Sequence, residues 1–116
     1  MYLRFNCRFW IENENREYVL GEGGFILLKE IEKTGSLSKV ADNLGMSYSY
    51  AWRKIKKIEK VVKNRVVESS RGGSEKGQTL LTEYGKNLLS LYEKLDEKIK
   101  DLKINEQIII DERNSR

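Results

Sequence analysis

The sequence predicts a mainly α-helical domain with small β elements, and three observations lead to this prediction. Apolar residues recur at helical spacing in four segments, and at a spacing of two near the N-terminus, which is typical of a half-buried strand. A glycine-rich polar stretch separates two short apolar runs between residues 66 and 81. Together they predict a winged helix-turn-helix with an N-terminal strand or hairpin and a long C-terminal dimerisation helix.

The N-terminal element is predicted as a strand over residues 3–11, because apolar and polar side chains alternate strictly there. Its apolar side carries Leu3, Phe5, Cys7, Phe9 and Ile11. Residues 13–16 form a polar turn, and a short returning strand is expected from Glu17 to Leu20. We interpret Cys7 as a small residue of the core.

Residues 21–24 contain three glycines, and we expect them to break the chain before helix one, from Phe25 to Lys33. The expected buried face of this helix is Phe25, Leu28 and Ile31, flanked by Ile26 and Leu27. Thr34 and Gly35 end the helix, and Ser36 caps helix two. The apolar positions of helix two are Leu37, Val40, Ala41 and Leu44.

Residues 35–55 have the pattern of a helix-turn-helix. Gly45 lies where the chain turns and where positive φ costs a glycine little, and the Ser47 hydroxyl can cap the next helix. Ala41 and Ala51 are small where two crossing helices approach each other. Helix three is predicted from Tyr48 to Val62, with a core stripe of Ala51, Ile55, Ile58 and Val62.

The positive charge of the chain is concentrated on and just after helix three. The net charge is +4, but residues 53–65 carry seven basic side chains against Glu59 alone, so this segment is +6 and the remainder sums to −2. A basic block on one helix is the electrostatic footprint of phosphate binding.

A hairpin is predicted after helix three, because Val66–Val67 and Thr79–Leu81 flank the polar loop. A hairpin after a helix-turn-helix is a wing. Arg71 and Lys76 lie in its loop, where they could reach a phosphate or a minor groove; a loop that is merely solvated is the alternative.

A long final helix is expected from the Thr82 cap to about Lys103. A stripe repeats along it at four, three, four and three residues: Leu88, Tyr92, Leu95, Ile99 and Leu102. This spacing is typical of a coiled-coil seam and predicts dimerisation through residues 82–102, although Leu89 and Leu91 broaden the stripe toward the domain's own core. The domain therefore spans residues 1–102, and the tail, 103–116, is left open as a strand, a dimer surface or a disordered segment.

Composition excludes several kinds of site. Cys7 is the only cysteine and histidine is absent, which excludes an internal disulfide, a cysteine metal cluster and imidazole chemistry. No window of about 18 apolar residues exists, and the N-terminus lacks the order of a signal peptide. We expect a cytoplasmic protein that is not an enzyme and holds no cofactor.

The candidate DNA contacts lie on the polar side of helix three and in the wing. Side chains in the first turn can reach bases or phosphates, Arg53 can fork onto a guanine or a phosphate, and the lysines favour phosphates. We interpret Trp52 as a packing residue. The candidates are Ser47, Tyr48, Ser49, Arg53, Lys54, Lys56, Lys57, Lys60, Arg71 and Lys76.

Two segments carry a resemblance to a known family. Residues 34–52, TGSLSKVADNLGMSYSYAW, and residues 81–89, LTEYGKNLL, resemble the N-terminal winged-helix domain of the molybdate-responsive ModE regulators, and more distantly LysR-type readers. The resemblance covers about residues 1–102. It implies a dimer supported by the N-terminal strand and the last helix, with Ser47, Tyr48, Ser49 and Arg53 facing the major groove and the wing on flanking DNA.

ModE regulators also carry C-terminal molybdate-binding modules, and this chain stops before them, so direct oxyanion sensing is not expected. The leading hypothesis is a homodimeric, sequence-specific regulator of transcription that binds double-stranded DNA at an inverted repeat. The rival hypothesis is a protein-interaction module that keeps the winged fold without reading DNA. An enzyme is the third class, and the lack of histidine and of a phosphate-cradling loop disfavours it.

Overall fold

Four helices and two short antiparallel strand pairs make up the described part of the chain, which in this computed structural model is residues 4, 6–70 and 77–109. The order along the chain is β1 (Ile11–Glu12), β2 (Tyr18–Leu20), α1 (Glu22–Thr34), α2 (Leu37–Leu44), α3 (Tyr48–Val62), β3 (Val67–Ser70), β4 (Gln78–Leu81) and α4 (Glu83–Ile109). The predicted mainly α fold with small β elements is confirmed.

The N-terminal hairpin turns through Asn13, whose side-chain oxygen accepts hydrogen bonds from the backbone N–H groups of Asn15 (2.9 Å) and Glu17 (3.0 Å). Arg16 takes a left-handed conformation, with φ of 63°. The turn brings β1 and β2 together, with Ile11 opposite Leu20 and Glu12 opposite Tyr18. The predicted polar turn and returning strand are both present.

The long strand predicted over residues 3–11 is wrong in extent. Exposure does alternate from Asn6 to Ile11, but of the described residues only Ile11 and Glu12 form a strand here. A pattern of side chains is not enough, because a strand also needs a neighbouring backbone for its hydrogen bonds, and β2 is only three residues long. Cys7, within this segment, is half-buried, so it is not the core residue that was predicted.

Helix α1 begins at Glu22, three residues before the predicted start, and includes two of the glycines. Gly24 is buried against the Leu20 side chain, so the buried face is Gly24, Leu27, Leu28 and Ile31. Phe25 is therefore only half-buried and Ile26 is exposed, which corrects the predicted face. A Cβ on Gly24 would lie 2.6 Å from Leu20 Cδ1, so this position accommodates a glycine despite its low helix propensity.

Both caps of the helix-turn-helix form as predicted. Ser36 Oγ accepts a hydrogen bond from Lys39 N (3.2 Å), and Ser47 Oγ accepts one from Tyr50 N (3.1 Å). Gly45 ends α2 with φ of 68°. Helix α3 has the predicted bounds, and its core stripe is buried at Ala51, Ile55 and Ile58; Val62, and Leu44 of α2, are only half-buried.

Strands β3 and β4 form the predicted hairpin in a regular register, from Val67 opposite Leu81 to Ser70 opposite Gln78. Thr79 N donates to the Gly35 carbonyl (3.0 Å), which joins the hairpin to the end of α1. The loop candidates Arg71 and Lys76 lie outside the described residues.

Helix α4 is held against the base of the hairpin at its N-terminus. Thr82 Oγ1 accepts from Gly85 N (3.0 Å) as the predicted cap, and it donates to the Arg65 carbonyl (2.6 Å). A Cβ on Gly85 would overlap the Val66 carbonyl oxygen, so glycine permits this close crossing. The helix continues to Ile109, past the predicted end near Lys103. No helix among the described residues is long and apolar enough to cross a membrane.

Candidate nucleic-acid interface

The outer face of α3 is fixed by the core stripe on its opposite side. Ala51, Ile55 and Ile58 are buried against α1, α2 and β2, so the helix cannot rotate without exposing them. The side chains that project away from the core are all exposed: Ser49, Arg53, Lys56, Lys57 and Lys60. The predicted cationic surface is therefore present and open along the helix.

The first turn of α3 presents hydroxyl groups beside this surface. Ser47 Oγ is occupied as the helix cap and lies 3.4 Å from Ser49 Oγ. Tyr48 is 52% exposed, so its ring has no place in the core. The three candidates Ser47, Tyr48 and Ser49 are thus brought together at the accessible start of the helix.

Tyr50 organises two of the cations, a role that the sequence reasoning did not assign. The Arg53 guanidinium carbon lies 5.9 Å from the centroid of the Tyr50 ring, and Lys54 Nζ lies 5.5 Å from it. Cation–π contacts of this kind contribute about 0.5–1 kcal/mol at exposed sites. The signal was available, because residues three and four apart on a helix are neighbours.

Lys56 differs from the other described lysines of α3 because it forms an ion pair. Its Nζ lies 4.8 Å from the Trp52 ring centroid and 3.3 Å from Glu59 Oε1. Among the described residues, neither Lys57 nor Lys60 forms an ion pair. Trp52 is half-buried and packs against the core, as predicted. The charge of Lys56 is thus partly compensated before any ligand approaches.

Glu59, the one acid within the basic block, joins α3 to the hairpin. Its Oε2 accepts hydrogen bonds from Val66 N (2.9 Å) and Val67 N (3.4 Å), and its side chain is 11% exposed. The recognition helix and the base of the wing are therefore tied by one carboxylate. The sequence does not predict this contact, because its backbone partners lie seven and eight residues away, beyond the end of α3.

The predicted dimerisation seam divides into two parts. Leu88 and Tyr92 are buried in the core of their own chain, where the rings of Phe9 and Phe25 each stack on Tyr92 at 4.5 Å. Leu95 and Ile99 are half-buried, and Leu102 is 52% exposed. The accessible part of the seam thus begins near Leu95.

Two pKa shifts mark the contact between α1 and α4. A hydrogen bond of 2.9 Å to Glu93 raises the pKa of Lys29, and burial raises the pKa of the Tyr92 phenol. Both groups hold α4 against the body of the domain.

The chain matches a family model described as bacterial regulatory helix-turn-helix protein, lysR family, over residues 25–86. It is also similar to the transcriptional regulator ModE of Haemophilus influenzae, at 39% identity over 70 residues, which are 60% of this chain and 28% of that protein. The DNA-binding transcriptional dual regulator ModE of Escherichia coli K12 is 39% identical over 69 residues, 60% of this chain and 26% of that protein.

A solved structure has the same fold. ArgP from Mycobacterium tuberculosis superposes with a TM-score of 0.52 at 20% identity, over 67% of this chain and 27% of that one. The chain spans about a quarter of the length of the curated relatives named above. These similarities confirm the resemblance found in the sequence, over a shorter stretch than the 102 residues expected from it.

Proposed function

Because the chain belongs to the bacterial regulatory helix-turn-helix proteins of the lysR family, we propose that it is a sequence-specific regulator of transcription that binds double-stranded DNA as a homodimer. The similarity to proteins named transcriptional regulator ModE supports this proposal for the region that they share. We assign the DNA-binding activity to the described domain.

One observation carries the proposal: the face of α3 opposite its core stripe is polar, basic and exposed. A helix held rigidly with such a face fits the major groove of DNA. We assign base contacts to Tyr48, Ser49 and Arg53, since they lie in the first two turns of the helix. We assign backbone phosphates to the lysines, with Lys57 and Lys60 ahead of Lys56 because Glu59 already compensates the latter.

The dimer is supported by the accessible end of the seam. Leu102 is exposed and Leu95 and Ile99 are half-buried on a helix that runs on to Ile109, so an apolar strip continues beyond the core of one chain. A two-fold dimer presents two α3 helices, and its operator is an inverted repeat with half-sites about 34 Å apart, or a multiple of that distance.

Selection of bound sequences from a random pool of duplexes, with purified protein, tests this function. We expect enrichment of an inverted repeat, and we expect Arg53→Ala to lose about 5- to 150-fold in affinity for each half-site, since a bidentate base contact is worth about 1–3 kcal/mol. Lys33→Ala, exposed near the end of α1, is the matched control and should bind like the wild type.

If the selection enriches no sequence, and if Arg53→Ala binds DNA like the wild type, the protein-interaction module is favoured instead. The thermal midpoint of each variant, measured in parallel, separates lost contacts from lost folding.

A further inference from the structure

A cleft of about 250 Å³ lies beside α3, where that helix meets β2 and the start of α1. Each of the three elements contributes an apolar or side-chain-free residue to its lining: Ile58, Val19 and Gly24. Ile58 and Val19 are buried, and a Cβ added to Gly24 would come within 3.7 Å of Ile58 Cδ1. The body of the cleft is therefore apolar and is built from parts of the chain that folding brings together.

The charge at the edge of this cleft is of one sign. Arg53, Lys54 and Lys57 line it, and none of the described residues that line it is acidic. The Tyr50 ring holds two of these cations in place, with the Arg53 guanidinium carbon 5.9 Å and Lys54 Nζ 5.5 Å from its centroid. Within the described residues, none of the three cations forms an ion pair. An apolar body with a few convergent polar groups is typical of a pocket for a small molecule.

The two parts of the cleft select the class of ligand. An inorganic anion would leave the apolar body without a contact, and a neutral hydrocarbon would leave the cations without a partner. A carboxylate attached to one apolar ring answers both, because a guanidinium can donate two parallel hydrogen bonds to a carboxylate. The size agrees, since an apolar cavity of about 150 Å³ holds one benzene molecule.

We propose that the cleft binds a small organic anion, a carboxylate on one apolar ring, and that this ligand competes with DNA for α3. Arg53 lies both in the cleft and on the outer face that we assign to the bases. A carboxylate paired with Arg53 withdraws that contact and places a negative charge beside the phosphates of the duplex. The ligand then acts as an effector that releases the DNA. This inference rests on the proposed function and gives it a regulatory site within the DNA-binding domain.

The first test uses benzoate as the probe and follows the backbone amide signals of the whole chain by NMR, at constant ionic strength. We expect saturable shifts in β2, the start of α1 and α3, with a dissociation constant of about 1 mM, as is typical of so small a ligand. Acetate lacks the ring and benzamide lacks the charge, so each should bind at least about tenfold more weakly than benzoate.

Two variants test whether the cleft is the site. Tyr50→Ala removes the ring that holds two cations, and Lys54→Gln removes one charge, so each should weaken benzoate binding by about three- to tenfold. The matched controls are Tyr48→Ala and Lys60→Gln, on the same helix but outside the cleft, and they should bind benzoate like the wild type. All four side chains are exposed or half-buried, and the thermal midpoint of each variant checks its folding.

The second test measures affinity for the selected duplex by fluorescence anisotropy, with either benzoate or acetate at the same concentration so that the effect of salt is equal. At ten times its dissociation constant, benzoate should lower the affinity of each half-site by about elevenfold relative to acetate. Lys60→Gln, which removes only a phosphate contact, should show the same ratio. Tyr50→Ala should show a smaller ratio at that concentration, because less of it is occupied by benzoate.

The outcomes separate this inference from the proposed function. If benzoate binds no more tightly than acetate, or if both cleft variants bind it like the wild type, the ligand site is refuted and the regulator stands. If benzoate occupies the cleft and leaves the affinity for DNA unchanged, the competition is refuted. If the wild type binds no duplex while benzoate still occupies the cleft, the proposed function fails and the ligand site remains.

Discussion

Replacement of Glu59 by alanine tests how strongly one carboxylate joins the recognition helix to the wing. In the wild type, Glu59 Oε2 accepts a bond of 2.9 Å from Val66 N and a longer one of 3.4 Å from Val67 N. Both valines are fully buried, so their amides would lose partners that water cannot easily replace. A hydrogen bond to a charged group contributes about 1.5–3 kcal/mol, and the longer bond contributes less.

We therefore expect Glu59→Ala to lower the free energy of unfolding by about 2–4 kcal/mol, since the exposed ion pair with Lys56 adds little. For a domain of about 100 residues, each kcal/mol lowers the thermal midpoint by about 4–8 °C. Denaturant unfolding measures the free energy of unfolding, and a temperature scan measures the thermal midpoint, both followed by circular dichroism. Glu59→Gln retains an acceptor oxygen and should lose about half as much.

Glu68→Ala is the matched control, because Glu68 is exposed on β3 and should change stability by less than about 0.5 kcal/mol. If Glu59→Ala were as stable as this control, the carboxylate would not hold the wing, and the description of α3 and the hairpin as one unit would be wrong.

Three further predictions concern packing, charge and assembly. Gly85→Ala should destabilise the fold by at least about 2 kcal/mol in thermal unfolding, because its methyl group would overlap the Val66 carbonyl oxygen. Gly23→Ala, whose added Cβ would meet no atom within 4 Å, should be neutral or slightly stabilising. Equal effects of the two variants would refute the close approach at Gly85. Lys60→Ala should weaken DNA binding in anisotropy titrations more than Lys56→Ala, whose charge Glu59 compensates; the reverse order would contradict that assignment. Leu102→Lys should shift the population toward monomer in light scattering at unchanged helicity, and an unaltered mass would exclude this end of α4 from the dimer interface.

Features that depend on near neighbours in the sequence could be predicted. The caps at Ser36 and Ser47 and the left-handed turn at Gly45 each need only a side chain or a missing Cβ a few residues from the groups that it serves. The bounds of α3 follow from such a cap and from an uninterrupted apolar stripe. For the same reason the exposed cationic face was predicted residue by residue.

Features that depend on distant parts of the chain could not be predicted. Leu28 and Ile31 are buried as predicted, but Leu20 packs on Gly24, and the buried face includes Gly24 and Leu27 while Phe25 is only half-buried. The alternation near the N-terminus predicts a strand, but among the described residues its pairing partner, β2, is only three residues long. Glu59 holds the hairpin only through backbone partners that folding brings close to it.

The base of the wing is fastened to the rest of the domain at three separate points. Thr79 bonds the end of α1, Glu59 bonds the start of β3, and Thr82 bonds the chain just before it. These bonds hold the base of the hairpin against α1 and α3, so a duplex that contacts both α3 and the hairpin, as proposed above, would meet two surfaces that do not move independently. A target with one base pair inserted between the two contact regions would have to be twisted or bent to fit. The deformation energy of the duplex would then lower its affinity relative to a target with the right spacing.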